Sequence, residues 1–203
     1  MVDAVSADAG LVIATPGAEP TTPDGYSAAI LLDGWALLGR PSLRAAEETL
    51  RRWMNAAALV RPGAGGGAGV GGAGGKVVVM ADQAMPVVQA LVRWDAAAFA
   101  DRELAERAEL RFPPTVRMAA LTGTAPALEE FLASVTLPAG AEILGPVDVD
   151  DREPEPGTVR FLVRTPSSAG AELAVALRSG LAERSSKKEP GTVRLQLDPA
   201  ELI

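Results

Sequence analysis

Arg102-Glu103-Leu104-Ala105-Glu106-Arg107-Ala108-Glu109-Leu110-Arg111-Phe112-Pro113-Pro114 divides this chain into two α/β segments. Glu103 and Arg107 stand four residues apart, the spacing of a stabilising pair on a helix surface. Pro113-Pro114 ends that helix, because proline offers no backbone N–H and its ring obstructs the preceding turn. On the N-terminal side, apolar runs alternate with helical patterns. Leu11-Val12-Ile13-Ala14, Ala28-Ala29-Ile30-Leu31-Leu32 and Val77-Val78-Val79-Met80 each predict a buried parallel strand. Thr15-Pro16-Gly17 closes the first of them. Leu43, Ala46, Leu50, Trp53, Met54, Ala57 and Val60 recur at helical spacing, with Ser42 as the predicted N-cap and Glu47 and Glu48 following it. Arg44, Arg51 and Arg52 are expected to point away from that packed face. Two more helices are expected over residues 85–93 and 95–110. The alternation indicates an α/β fold with a mainly parallel sheet over residues 1–112.

Beyond the Pro-Pro break the rhythm changes. Strands are expected at 115–121, 142–149 (kinked at Gly145-Pro146), 158–165 and 192–197, with helices at 125–134 and 167–183. The order βαββαβ is the ferredoxin-like pattern, giving an α+β domain over residues 113–203.

The chain has 203 residues, 48% of them hydrophobic, which suffices for a globular core. It has no Cys and no His. That removes thiol nucleophiles, imidazole bases, disulfides and the usual soft-metal ligands. No cofactor or metal is therefore expected in this chain, and no paired-carboxylate pattern points to a metabolic enzyme. No signal peptide or membrane-length apolar run is visible, so a cytoplasmic location without membrane attachment is expected. The formal net charge is −7. Residues 1–112 carry 10 basic and 13 acidic side chains, and residues 113–203 carry 9 and 13. A phosphate backbone is held mainly by Lys and Arg, so any nucleic-acid contact must come from a local patch.

Three segments carry a family resemblance: Ser42-Leu43-Arg44-Ala45-Ala46-Glu47-Glu48-Thr49-Leu50; Lys76 to Met80 followed by Val87-Val88-Gln89-Ala90-Leu91; and the Arg102 to Pro114 stretch. Together they resemble the primosomal protein N′ family of replication-restart DNA helicases, in an actinobacterial, motor-deficient form. The matching part is the second half of the second motor lobe plus the C-terminal domain. The resemblance implies a partial RecA-like lobe over residues 1–112 and a C-terminal domain after it. It also implies DNA partners (forked or single-stranded), other primosome or replisome proteins, and a nucleoid location. Further domains of the same protein, including zinc-binding cysteines, would lie upstream, so the chain reads as a fragment.

The family is an ATP-dependent 3′–5′ helicase, but its motor residues have no match here. Where the family has Gly-Thr-Gln-Met and then Lys-Gly-His, this chain has Ala14-Thr15-Pro16-Gly17 and Ala18-Glu19-Pro20. Where the family has Gln-Val-Ala-Gly-Arg-Ala-Gly-Arg, it has Asn55-Ala56-Ala57-Ala58-Leu59-Val60-Arg61-Pro62. The arginine positions become Leu59 and Pro62, and Arg61 is one place out of register. Arginines of that kind are worth about 10³–10⁵ in rate, so ATP-driven unwinding is not expected. Gly69-Val70-Gly71-Gly72-Ala73-Gly74 fits G-x-G-x-x-G, but it precedes a strand instead of following one, and reads as part of a flexible Gly-rich loop over 63–75.

Family members touch DNA partly through basic residues of the C-terminal domain, which implies Arg152, Arg160, Arg164, Arg184, Lys187 and Lys188 as contacts. Arg160 and Arg164 are an even number apart on an alternating strand and share its solvent face. Arg184, Lys187 and Lys188 form the densest basic cluster, at a helix end where cations also favour the helix dipole. Trp35, Trp53 and Trp94 are read as packing residues, with Trp35 also open to a stacking role. An alternative reading is a replisome protein-interaction module with no direct DNA contact in this region, suggested by the acidic balance.

Overall fold

The computed structural model describes residues 3–6, 10–32, 34–63, 74–149 and 157–200. One compact unit runs through Arg40 and resumes from Arg44 to Ala100; the other takes Pro41–Leu43 and everything from Asp101. The chain is α/β, with a two-stranded parallel sheet and a four-stranded antiparallel sheet.

In the first unit β1 (Ala28–Leu31) and β2 (Lys76–Val79) pair in parallel, from Ala28 opposite Lys76 to Leu31 opposite Val79. Between them lie α1 (Gly34–Leu38) and α2 (Ala45–Ala58), and after them α3 (Pro86–Arg93) and the start of α4 (Ala96–Leu110), which from Asp101 on belongs to the second unit. The stripe on α2 does what its spacing implies: Leu50 and Trp53 are buried, joined by Leu37, Val87, Val88, Leu91 and Phe99. Thr49 is buried in the same helix and donates to the Ala45 carbonyl at 2.7 Å, so its hydroxyl is satisfied.

Among the described residues only one face of this sheet is covered. Leu31 and Val79 pack on the helices, while Ile30 is 62% exposed and Val78 47%. The parallel pairing is as expected, but neither strand is buried: Leu31 and Val79 are partly covered, and Val77 is exposed beside Val78. Leu11-Val12-Ile13-Ala14 is not a strand at all, and Leu11 and Ile13 are exposed. An apolar run becomes a strand only beside a hydrogen-bonding neighbour; none occurs for this run among the described residues.

Helix α2 starts at Ala45, later than expected, with Arg44 at the N-cap and no side-chain cap bond. The reason is competition from remote partners. The Leu43 N–H donates to the Ala200 carbonyl at 3.3 Å, and the Leu43 carbonyl accepts from Arg107 at 2.6 Å. Pro41–Leu43 is thereby drawn into the second unit. Trp53 packs, but Trp35 and Trp94 are exposed. Trp94 closes α3 in a left-handed conformation, φ 56°, which turns its ring outward.

The second unit runs β3 (Val116–Thr124), α5 (Ala125–Ser134), β4 (Glu142–Asp148), β5 (Thr158–Pro166), a 3-10 turn (Ser167–Ala169), α6 (Gly170–Lys187) and β6 (Val193–Leu197). The sheet order is β4-β5-β3-β6, every neighbour antiparallel. A register shift between Leu144 and Val147 marks a bulge at Gly145-Pro146. Helices α5 and α6 cover one face, setting Leu128, Phe131, Leu173 and Leu177 against Ala119, Leu121, Phe161 and Val163. Gly180 is required there, since a Cβ would sit 2.4 Å from Val135 Cγ2. On the other face Val116, Met118, Ala120 and Leu162 are buried beneath Phe112 and Leu144. From Thr122 onward that face turns polar. Among the described residues no helix is long and apolar enough to cross a membrane.

Urea unfolding should separate the two kinds of apolar position. Leu128→Ala, at a fully buried site, is expected to cost about 2–5 kcal/mol. Ile30→Ser, at an exposed site, is expected to change stability by less than about 0.5 kcal/mol.

Candidate nucleic-acid interface

Antiparallel pairing assembles a transverse row on the polar half of the second unit's sheet. Thr122 on β3 stands opposite Arg160 of β5 on one side and Arg194 of β6 on the other. Val147 of β4 stands opposite Arg160 and extends the row. Because side chains alternate, these residues share the face that helices α5 and α6 do not cover. Arg160 Nε donates to Thr122 Oγ1 at 3.4 Å. Arg194 is exposed and makes no hydrogen bond or ion pair among the described residues. Gln196, two residues on, lies on the same side and is also exposed.

Arg164 shares that face, but Leu162 between it and Arg160 is buried, so the two guanidiniums do not form one solvent patch. Arg164 Nε donates to Glu142 Oε2 at 2.8 Å and a terminal nitrogen donates to the Leu110 carbonyl at 3.4 Å. Glu142 also accepts from Arg111. This carboxylate thus bridges the end of α4 to β5. The two guanidiniums, Arg111 first and then Arg164, hold the Glu142 carboxyl below its ordinary value of 4.5.

The basic cluster near the end of α6 does not act as one. Arg184 is buried, its side chain 6% exposed, and it donates to Glu189 at 2.8 Å and Glu130 at 3.4 Å. It also donates to the Pro190 carbonyl, tying the helix to the loop before β6. Lys187 Nζ pairs with Glu183 at 2.6 Å, which raises the Lys187 pKa and lowers that of Glu183. Lys188 ends the helix in a left-handed conformation, φ 52°, with its side chain exposed. Arg152 lies outside the described residues. Sequence reasoning passed over Arg194, although the alternation of Val193, Leu195 and Leu197 already put Arg194 and Gln196 on the opposite side.

In the first unit, α2 continues as ordinary helix through Asn55 to Ala58, with Leu59 at its C-cap. Arg61 Nε donates to the carbonyls of Asp24 and Gly25, each at 3.1 Å. Residues 64–73 of the Gly-rich loop lie outside the described residues. No group of three or more carboxylates is placed to hold a metal ion among the described residues.

Arg184→Ala leaves Glu130 and Glu189 free to hydrate but orphans the carbonyl of Pro190. Thermal or urea unfolding should report a loss of about 1–3 kcal/mol, and Arg184→Lys should not restore it, because a single ammonium cannot reproduce the forked set of donors. Glu142 has a depressed folded pKa, so its contribution is present above the ordinary carboxylate value and fades as pH falls through the lower folded value. Melting curves across acid pH should therefore show Glu142→Gln as less stable near neutrality, with the difference from the parent closing in acid. An unchanged gap at low pH would contradict this.

Residues 108–200 match the family model of the primosomal protein N C-terminal domain. Over its full length the chain is 48% identical, across 209 aligned residues, to the probable replication restart protein PriA of Mycobacterium leprae. It is 44% identical, across 216, to the probable replication restart protein PriA of Mycobacterium tuberculosis. These alignments cover 100% of this chain but 31% and 32% of those relatives, so the chain spans about a third of their length. The chain is thus similar along all of its 203 residues to a portion of the PriA replication restart proteins, with residues 108–200 matching the primosomal protein N C-terminal domain.

Proposed function

We propose that this chain serves in replication restart as the C-terminal part of a PriA-type protein, contacting forked or single-stranded DNA without supplying ATP-driven strand separation. Similarity along the entire chain, not just the matched domain, carries the replication-restart role. The reading of the first unit as part of a RecA-like lobe is supported by its parallel β1–β2 pair with intervening helices. Its bare apolar face, with Ile30, Leu32, Val78 and Met80 exposed, fits a sheet that further elements of a larger lobe would cover. The ferredoxin-like reading of the second unit is supported by its βαββαβ order and its β4-β5-β3-β6 arrangement.

Loss of motor chemistry is supported by the site of the family's arginine motif. There the helix keeps an apolar packing stripe, and Arg61 spends its Nε–H on the Asp24 and Gly25 carbonyls. A guanidinium held to its own backbone is poorly placed to meet a γ-phosphate. Other primosome or replisome proteins remain partners in this reading, and a cytoplasmic, nucleoid-associated location follows from the same role.

The experiment is ATP hydrolysis by the full-length polypeptide that carries this sequence, with and without forked DNA, beside Arg61→Ala. No DNA-stimulated turnover is expected from either. Turnover above background in the parent that disappears in Arg61→Ala would mean that Arg61 had taken over the motor role, and the reading would fail.

A further inference from the structure

We infer that the polar half of the open sheet face in the second unit, centred on Arg160 and Arg194, is the surface that grips the DNA phosphate backbone. The inference rests on the DNA-contact reading above and deepens it.

Three observations converge on this face. The first is placement. Arg160 and Arg194 flank Thr122 on adjacent strands, so their backbones lie two strand spacings apart, about 10 Å. Thr122 and Gln196 fill the space around them with hydrogen-bonding groups. The second is the charge environment. Arg117, Arg184 and Lys187 each pair with a carboxylate and Arg111 and Arg164 share Glu142, but the transverse row places Val147 and Thr122, not an acid, beside Arg160 and Arg194. Among the described residues neither Arg160 nor Arg194 has a carboxylate partner, so both guanidiniums can take up an anion lying across the row. The third is geometry. The apolar half of the same face is sealed by Phe112 and Leu144, while the Thr122–Thr124 half is only partly covered.

The chemistry also sets what kind of contact this is. No aromatic side chain stands on the row to stack a base, and a flat sheet face does not enter a major groove as a helix or ribbon would. The contact is therefore with phosphates, independent of base sequence and sensitive to salt. Lys187 is already paired and Arg184 is buried, so the end of α6 contributes little to it.

The test is equilibrium binding of the full chain to a fluorescent single-stranded oligodeoxynucleotide over a salt series. The parent is compared with Arg194→Gln, Arg160→Gln, Arg194→Lys and the double variant Lys187→Gln/Lys188→Gln. The Arg194 side chain has no partner among the described residues, so Arg194→Gln is expected to keep the fold, as circular dichroism can verify. Each arginine-to-glutamine change should weaken binding to all sequences alike and make the slope of log K against log salt shallower by about 0.7. Arg194→Lys should retain the parent slope, and the lysine double variant should stay near the parent. Parent-like binding by both arginine variants, with the loss confined to the lysine double variant, overturns the sheet-face inference and leaves the DNA reading standing. No salt-dependent binding by the parent overturns both.

Discussion

Strand β3 must be dry on both faces through its middle, from Met118 to Leu121, and wet on one face after that, and the second unit is organised around that requirement. Val116, Met118 and Ala120 face one way and Ala119 and Leu121 the other, and all are buried. Being central in the sheet, β3 has its backbone groups taken by β5 and β6, so only its side chains are left to find cover. Helices α5 and α6 supply that cover on one side. On the other it comes from Phe112, at the end of the Arg102–Pro114 stretch, and from Leu144. At Thr122 the demand stops, because threonines replace the apolar residues. The open half of the face is thus fixed by where the apolar alternation of one strand runs out.

Much of the second unit was legible for the same reason. Alternation in strands and a 3.6-residue period in helices are local signals, and tertiary contacts reinforced them: α5 spans Ala125–Ser134 and β5 begins at Thr158. The first unit was less legible where an element's fate depended on a remote partner. Leu11–Ala14 has the composition of a strand but no neighbour in the described structure. Ser42 has the chemistry of an N-cap, yet Leu43 beside it bonds to Ala200 and Arg107, and the helix begins after both. The five-residue α1 is too short to carry a period.

The candidate site follows the same division. Sequence density pointed to Arg184, Lys187 and Lys188, because density is what a linear reading measures. Folding instead sorts cations by the company they keep. Arg184 becomes an internal brace, Lys187 joins Glu183, and Arg164 joins Arg111 on Glu142. Arg194, alone in sequence, is brought by the sheet to within two strands of Arg160. A net charge of −7 is therefore compatible with a local cationic face, since the sheet sets Arg160 and Arg194 on either side of Thr122 instead of beside an acid.

The bulge at Gly145-Pro146 has a separate consequence for how this unit behaves in crowded solution. Strand β4 is an edge of its sheet, and an unbroken edge invites another strand to add on. Proline withholds an N–H there, and the extra residue breaks the ladder in the middle of the strand. At the opposite edge β6 is short and carries Arg194 at its second position, and Asp198 just past its end adopts a left-handed φ of 47°. Both rims thereby discourage strand-by-strand association, so the sheet is protected from self-assembly while its polar face stays free.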